Sequence, residues 1–552
     1  MKLSPGVAAQ ARGYPDLHDH LAVLEERGLL IRVREPVNKD TEMHPLVRWQ
    51  FVGGIPEAER KAFLFEQPVD AKGRRYDIPV AIGALAANRE IYGLGMGCRV
   101  GEIDAAWSRA LNHPIDPKVV DRAPCHDIVV EGSDLDRAGQ GLDGLPVPIS
   151  TPGWDNAPYT TTSHFITADP DTGVQNLGNY RGQIKARRRL GMNPSRELRP
   201  GIYTHWEKYR ARKEKLPCAV VLGAPPVVTF TSVQKLPETV DELAVAGGLA
   251  GAPINVVRAK TVDLLVPAES EIVIEGYIET EYLEKEGPFG ESHGHVNLQE
   301  YNAYMEVSAI TRRRNAILTS IISQVTPSES SLIKRVAYET MFLRHLRDQM
   351  GIRGITRVFM HEPLTNIRKV VVLQLTRGVP ETEVWRALYG AAAFQRSVGK
   401  FVIAVNEDID PENTNAILWA LAYRMHPQLD MQVLPHTEPG HGPRRHRGDG
   451  QDAAVLMNAT LRGSFPPISL PKREFMEHAR ELWDRLGLPA LKPAAPWFGY
   501  SLGDWSDEFE RQAELAARGD YWQTGEVIAR ERRSDVAMNA EVDWRSAEKQ
   551  GG

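Results

Sequence analysis

The spacing of apolar residues divides the chain into differently organised stretches, and the first mixes helix and strand patterns. Leu17, Leu21 and Leu24 recur at helical spacing in LHDHLAVLEERGLL, and Gly28 follows as a helix stop. Three strand-like runs come next, namely LLIRVREPV, KAFLFEQP and IPVAIGAL. We therefore predict an N-terminal α/β region over residues 1–125.

The middle stretch, residues 126–325, is rich in short, β-branched runs that end at glycine or proline. Such runs are typical of a β-barrel or sandwich. They read YTTTSHFITA, PCAVVLG, PPVVTFTSV, INVVRAKTVDLLVP and EIVIEGYIE. One helix pattern, TVDELAVAGGLAG, interrupts them.

The third stretch, residues 326–470, alternates between helix and strand patterns. Helix LIKRVAYETMFLRHLRDQM precedes strand ITRVFM, strand KVVVLQLT precedes helix ETEVWRALYGAAAF, and strand KFVIAVNE precedes helix NTNAILWALAYRM. This alternation predicts an α/β domain with a parallel or mixed sheet. Residues 471–552 carry the helix patterns FMEHARELWDRLG and SDEFERQAELAARGDY, which predict a helical extension acting as an oligomer contact or a lid.

The composition and net charge of the chain argue against some classes of function. The chain has 552 residues, and 66 Lys and Arg against 72 Asp and Glu give a net charge of −6, which argues against nucleic-acid binding. No apolar run approaches a membrane span, and the N-terminus lacks the apolar core of a secretory signal. Cys98, Cys125 and Cys218 lie far apart without a CxxC pair, so we expect a reduced, cytoplasmic setting.

The densest chemical cluster is EKEGPFGESHGHVN, in which Glu286 and Glu291 flank Gly-Pro-Phe-Gly. Pro288 and the glycines break any helix, so a bent loop can aim both carboxylates inward, where they can divide acid and base roles. For this pair alone, a charged surface turn is the alternative. His293 and His295 fit a polar pocket wall or a core role better than a metal site.

A second cluster, QNLGNYRGQ, contains Asn176 and Arg181. Arg181 can hold a carboxylate or phosphate bidentately, and Asn176 can offer a carbonyl oxygen to a hard cation. Taken alone, the segment also fits a strand end with a surface arginine. Taken alone, His205 fits a structural histidine and Glu242 a solvated helix face; combined with Asn176 they would give a donor set that suits Mg²⁺ or Mn²⁺ rather than zinc. The basic loop at 436–450 lacks the spacing of a phosphate-binding loop, and we expect it to be mobile.

In combination these motifs resemble the UbiD family of decarboxylases, which use prenylated FMN. The resemblance extends from about Leu17 to about Thr460. It implies an α/β (α+β) protein with an N-terminal α/β region, a central split β-barrel like that of flavin reductases, and a C-terminal α/β domain with a mixed sheet. The matching segments, in family order, are DLHDHLAVLEERGLLIRVREPV, GLGMG, NLGNYR, LPETVDELAVAGGLAG, VPAESEIVIEGYIE, EGPFGESHG, KFVIAVNEDID and ILWALAYRMHP.

The resemblance assigns roles to the family's Glu-Arg-Glu set, which is intact here. Glu291 exchanges a proton with the substrate carbon, whereas Glu286 pairs with Arg181 and supports cofactor maturation. Glu291 must be neutral when it donates, so we expect burial beside Glu286 to raise its pKa while Arg181 keeps Glu286 ionised.

The resemblance also implies ion and cofactor sites. Asn176, His205 and Glu242 would hold a divalent ion, Mn²⁺ or otherwise Mg²⁺ or Fe²⁺, that bridges the cofactor phosphate. A K⁺ ion would lie near Ser232, Glu242 and Arg424. Further cofactor contacts are assigned to Thr161, Asn179, Tyr180, Arg181, Thr231, Ser232 and Lys400.

The implied activity is reversible, non-oxidative decarboxylation of an aromatic or α,β-unsaturated carboxylic acid through a covalent prenylated-FMN adduct. Substrate candidates include aryl-CoA esters such as phthaloyl-CoA, a flavin prenyltransferase would supply the cofactor, and a homodimer or homohexamer is expected. A catalytically silent flavin-binding subunit is the first alternative, but it predicts loss of part of the Glu-Arg-Glu set. A flavin reductase is the second, but no GxGxxG follows a strand. The segment VLMNATLRG, with Met457 and Asn458, departs from the family pattern.

Overall fold

The computed structural model describes residues 12–194, 199–234, 236, 240–438, 451–463, 465–467, 469, 471–491, 503–530, 532–534, 536–538, 540 and 542. Most of the basic loop predicted to be mobile, residues 439–450, lies outside these ranges. No helix within them combines the length and the apolar character that crossing a membrane requires.

The α-helices of the described ranges lie mainly in the N-terminal and C-terminal thirds of the chain. They are α1 Leu17–Glu26, α2 Met43–Val52, α3 Arg89–Gly95, α4 Ile103–Asn112, α5 Gly201–Arg212, α6 Pro226–Ser232, α7 Glu242–Ala250, α8 Glu329–Arg344, α9 Glu381–Phe394, α10 Thr414–Arg424, α11 Pro427–Asp430, α12 Arg473–Arg485, α13 Asp507–Ala517 and α14 Tyr521–Arg530.

The strands concentrate in the middle of the chain. They are β1 Leu30–Asn38, β2 Ala62–Val69, β3 Val80–Ile82, β4 Lys118–Val119, β5 Ile128–Glu131, β6 Tyr159–Thr160, β7 Ser163–Ala168, β8 Gln175–Asn179, β9 Gly182–Ala186, β10 Arg189–Met192, β11 Leu216–Leu222, β12 Asn255–Arg258, β13 Leu265–Pro267, β14 Ile272–Ile278, β15 Glu284–Glu286, β16 Phe289–Gly290, β17 Val296–Asn297, β18 Glu300–Asn302, β19 Tyr304–Arg312, β20 Leu318–Ser320, β21 Ile355–Met360, β22 Val370–Leu375, β23 Phe401–Asn406, β24 Met431–Thr437 and β25 Asp452–Asn458.

The mixed α/β character predicted from the sequence is confirmed by three larger sheets and their helices. The central sheet has nine strands in the order β6-β9-β10-β19-β14-β11-β7-β8, with β5 also paired to β19. The N-terminal sheet runs β1-β2-β3-β20, and the C-terminal sheet runs β21-β22-β23-β25-β24. The likeness of the central sheet to the split barrel of flavin reductases stays a prediction.

The first helix forms where the apolar spacing predicts it. Asp16 caps α1, because its side chain accepts a hydrogen bond from the backbone N–H of Asp19 and the Asp19 side chain reciprocates. Leu17, Leu21 and Leu24 are fully buried on one face of α1. This helix packs its apolar stripe into the core beside the N-terminal sheet.

One predicted strand is wrong. The run PPVVTFTSV forms the helix α6, although its β-branched residues favour a strand. Pro226 occupies the first helical position, where its missing N–H costs nothing. Every residue of α6 is buried, and the Phe230 ring stacks on Tyr92 with the ring centres 4.1 Å apart. Tertiary burial therefore overrides the local propensity.

The chain forms two compact units. The first contains the residues up to Val372 together with Arg386–Ile403 and Gln432–Leu456. The second contains Leu373–Trp385, Ala404–Met431 and the residues from Met457 onward. All residues of the candidate site described next belong to the first unit. The division into four segments at residues 125, 325 and 470 stays a prediction.

Candidate active site

The three residues assigned to proton transfer meet in one ion-paired cluster. Arg181 follows β8, an edge strand of the central sheet. Its Nε and Nη2 atoms donate to the two carboxylate oxygens of Glu286 at 2.9 and 2.7 Å, and its Nη1 atom donates to Glu291 Oε1. One guanidinium therefore bridges both carboxylates in the fork geometry that favours arginine over lysine.

The two carboxylates differ in exposure and therefore in what they can do. Glu286 is fully buried, whereas Glu291 keeps 24% of its side chain exposed. Burial by itself raises the pKa of Glu291, but the adjacent Arg181 charge and hydrogen bond outweigh it and hold the pKa below its ordinary value. The expected rise in the pKa of Glu291 is thus wrong, because Arg181 bonds to both glutamates and not to Glu286 alone.

The loop between the two glutamates is fixed by backbone hydrogen bonds. Gly287, at φ +94°, donates its N–H to the Tyr159 hydroxyl oxygen at 3.1 Å. Gly290 donates its N–H to Asp155 Oδ1 at 2.8 Å. The Phe289 ring lies under the Arg181 guanidinium, 5.0 Å from its central carbon. These contacts fix the backbone on both sides of the turn that carries Glu291.

A methyl group at Gly290 is expected to displace this loop. A Cβ atom there would lie 2.2 Å from Thr151 Oγ1, well inside van der Waals contact. We expect Gly290→Ala to lower the free energy of unfolding by about 1–3 kcal/mol and to reduce turnover, because the loop must shift. Urea unfolding and activity assays test this. Gly101→Ala is the control, since a Cβ atom there meets nothing within 4 Å; equal effects at both positions would contradict the account.

A cavity of about 730 Å³ lies in front of Glu291. Its volume is within the range of roughly 300–1,000 Å³ found for small-molecule and cofactor sites. Apolar side chains such as Ile321 and Ile333 share its wall with polar ones. The residues predicted from the sequence that line it are Thr161, Asn176, Asn179, Tyr180, Arg181, His205, Ser232, Glu242 and Glu291.

The three predicted metal ligands lie on this cavity wall. His205 Nδ1 bonds the Thr167 hydroxyl at 2.8 Å, which orients the ring, and Glu242 Oε2 accepts the backbone N–H of Leu177 at 3.1 Å. Burial raises the pKa of Glu242 to about 7. No group of three His, Cys, Asp or Glu side chains in the described ranges is arranged to hold a metal ion, so the set depends on the amide of Asn176.

This donor set fits a hard divalent cation. It offers an amide oxygen, an imidazole nitrogen and a carboxylate oxygen, which suit Mg²⁺ or Mn²⁺. Glu242 forms no ion pair with a lysine or arginine of the described ranges, and a buried carboxylate is costly without a cation. A metal ion would supply that charge.

Other predicted contacts lie away from the cavity wall. Thr231 is buried and donates its hydroxyl to Val228 O at 3.0 Å, within α6. Lys400 donates to both carboxylate oxygens of Asp452, at 3.0 and 2.8 Å. In the second unit, Arg424 forms a buried ion pair with Asp408. The roles of Thr231 and Lys400 as cofactor contacts, and of Arg424 at a K⁺ site, stay predictions.

Sequence reasoning missed three cations on the cavity wall, namely Arg199, Lys334 and Arg368. Lys334 lies in α8 among the apolar residues Leu332, Ile333 and Val336, a sequence signal that could have marked its position as inward-facing. Arg368 lies in a loop without a motif. His293 also lines the cavity and bonds Asn297 Oδ1 at 2.9 Å, which matches the polar wall preferred for it. His295 is exposed and does not line the cavity.

Comparison with protein families shows which family the chain belongs to. Residues 118–325 match the 3-octaprenyl-4-hydroxybenzoate carboxy-lyase Rift-related domain, residues 21–111 match its N-terminal domain, and residues 333–441 match its C-terminal domain. The chain therefore belongs to the UbiD family of carboxy-lyases, which confirms the family and the enzyme class predicted from the motifs.

Solved structures agree with this placement. The UbiD-class enzyme HmfF from Pelotomaculum thermopropionicum, solved as an evolved dimeric form with prFMN, is 28% identical, with a TM-score of 0.71 over 83% of this chain and 97% of that one. Vanillic acid decarboxylase from Sedimentibacter hydroxybenzoicus, in its closed form, is 25% identical, with a TM-score of 0.70 over 86% and 99%. The 3,4-dihydroxybenzoic acid decarboxylase of Klebsiella pneumoniae, at 22% identity, shares the fold.

Proposed function

We propose that the protein catalyses the reversible, non-oxidative decarboxylation of an aromatic or α,β-unsaturated carboxylic acid with prenylated FMN, and that Glu291 donates the proton. The observation that carries this proposal is the bridging of Glu286 and Glu291 by Arg181 at the wall of the cavity. The solved relative HmfF, described with prFMN, supports the choice of cofactor.

The cavity wall offers residues that could hold the cofactor. Asn176, His205 and Glu242 would hold a divalent ion and through it the phosphate, while Asn179 and Tyr180 line the wall nearby. When bound, the prenylated flavin supplies the electron sink that loss of CO₂ from an sp² carbon requires. A flavin prenyltransferase would provide the cofactor in the cell.

The protein's own contribution is to hold and move one proton. Glu291 is ionised in the resting site, because Arg181 lowers its pKa. It must take up a proton before it can donate one to carbon, and its exposed part gives water access to the carboxylate. Buried Glu286 accepts two hydrogen bonds from Arg181. It therefore keeps the guanidinium in place when the hydrogen bond between Arg181 and Glu291 breaks.

The direct test is decarboxylation in D₂O. Protein co-expressed with a flavin prenyltransferase would be offered hydroxybenzoates, heteroaromatic acids, cinnamate-type acids and aryl-CoA esters, including phthaloyl-CoA. We expect one class to release CO₂ and to gain a single deuterium at the carbon that lost it. No CO₂ from any acid, with flavin bound and the fold intact, would count against the proposal.

The proposed metal site makes a separate prediction. Glu242→Gln removes the carboxylate charge but keeps a side-chain oxygen near Leu177, so we expect Mn²⁺ affinity to fall by more than about tenfold. Titration of the protein with Mn²⁺, followed by electron paramagnetic resonance, measures this. Asp241→Asn is the control, because it removes a neighbouring charge while preserving the cap of α7. Equal loss in both variants would argue against ligation by Glu242.

A further inference from the structure

Two cationic side chains of the cavity wall do not belong to the ion-paired cluster of Arg181, Glu286 and Glu291. Lys334 and Arg368 both line the cavity. Within the part of the chain that the structure describes, neither side chain donates a hydrogen bond or forms an ion pair. Other charged residues of the wall already have partners of opposite charge. Arg181 pairs with Glu286 and Glu291, Arg199 pairs with Glu207, and Asp169 pairs with Lys208.

The fold holds both cations in position. On α8, Ser330, Lys334 and Tyr338 recur at intervals of four residues and present one helix face to the cavity. The loop before Arg368 is tied to Thr326, whose carbonyl accepts the N–H of Leu364 at 3.1 Å and whose hydroxyl accepts that of Asn366 at 3.2 Å. The two side chains therefore come from a helix and an anchored loop.

The two charges act on one region of the cavity. Burial and the positive charge of Arg368 together lower the pKa of Lys334 to about 8, against the opposing effect of the negative charge of Glu291. Lys334, Arg368 and Glu291 all line the same cavity, so their charges belong to one site. Two cations that share one cavity wall without an ion-pair partner in the described ranges favour the binding of an anion.

Which anionic group of the substrate the two cations can bind without slowing decarboxylation depends on whether that group keeps its charge. A carboxylate that leaves as neutral CO₂ loses its attraction to nearby cations, so cations bound to it would stabilise the ground state more than the transition state and slow the step. An anionic group that keeps its charge throughout gains binding without that penalty. The pair is therefore suited to a group that stays on the product.

We propose that Lys334 and Arg368 bind a second carboxylate of the substrate, which makes an aromatic or unsaturated dicarboxylic acid the preferred substrate class. This inference rests on the proposed function, because it concerns the same cavity. It assigns the pair to substrate selection, and it leaves proton transfer to Glu291.

Binding measurements test the pair without requiring turnover. Isothermal titration of the flavin-loaded protein with phthalate, isophthalate and terephthalate is compared with titration of each monomethyl ester. We expect at least one diacid to bind about tenfold or more tightly than its ester. Arg368→Met and Lys334→Met should each reduce this preference to about twofold or less, and Arg368→Lys should retain part of it. Arg347→Met, at an exposed arginine outside the cavity, should keep it.

The outcomes separate the alternatives. Absence of any preference in the unmodified protein, or an unchanged preference in both methionine variants, would overturn the inference. Loss of bound flavin from the variants, with inorganic phosphate competing for the site, would assign the pair to the cofactor phosphate and overturn it as well. If the preference holds but no acid is decarboxylated, the proposed function fails while the anion site stands.

Discussion

Replacing Glu291 by glutamine is expected to lower turnover by about 10²–10⁴-fold while leaving the fold and the bound flavin intact. Glutamine keeps the shape and can still accept the hydrogen bond from Arg181 Nη1, but it has no proton to give to carbon. The size of the loss follows from the usual contribution of a positioned general acid. Single-turnover and steady-state rates on the identified substrate measure it, together with the flavin absorbance of the purified variant.

The matched control is Glu284→Gln, two residues before Glu286 on β15. Glu284 forms partly exposed ion pairs with Lys185 and Arg189 at 2.9 and 3.0 Å and does not line the cavity. Its loss should change turnover by less than about twofold, because Glu284 does not line the cavity and touches neither Arg181 nor Glu291. If Glu291→Gln kept more than about a tenth of the activity, Glu291 would not be the proton donor.

Replacing Arg181 by methionine is expected to abolish turnover and to destabilise the protein by about 3–5 kcal/mol at neutral pH. Two carboxylates would lose their shared cation, and Glu286 is fully buried, which is the costly case of a broken buried ion pair. Urea unfolding measures the change. Arg189→Met, which removes an arginine 44% exposed and paired with Glu284, should cost about 1 kcal/mol or less.

The destabilisation by Arg181→Met should depend on pH. In the unmodified protein the folded-state pKa of Glu291 lies below its unfolded value, so its contribution is present above the unfolded pKa and is lost as pH falls through the folded pKa. In the variant, burial acts without Arg181, so the pKa rises and the folded state favours the protonated acid. The gap between the two proteins should therefore shrink as pH falls from 7 toward about 5. A gap that widened would contradict the ion-pair account.

The periodic spacing of apolar residues predicted many of the helices and strands. The spacing of Leu17, Leu21 and Leu24 predicts α1, and the strand–helix alternation after residue 329 predicts α8 through β23, because periodicity reports which face is buried. It failed for α6, where full burial outweighed the strand preference of β-branched residues. It also could not show that β20, from the middle of the chain, pairs with β3 and completes the N-terminal sheet.

Those residues of the candidate site that lie in recognisable sequence motifs could be predicted from the sequence. The sequence named Arg181, Glu286 and Glu291 through recognisable segments, and the structure brings them into contact. It could not show that Arg181 bonds both carboxylates, which decides the direction of the pKa shift of Glu291. Lys334 and Arg368 were missed because a lysine in a helix and an arginine in a loop are usually solvated, and only the tertiary fold turns them toward the cavity.

The mass of the flavin that the protein carries shows whether prenylated FMN is its cofactor. The full chain would be co-expressed with a flavin prenyltransferase, purified in the dark with Mn²⁺ and K⁺, and denatured, and the released small molecules would be measured by mass spectrometry. We expect prenylated FMN in the unmodified protein and in Glu291→Gln alike. Plain FMN alone, or no flavin, in a well-folded sample would contradict this expectation.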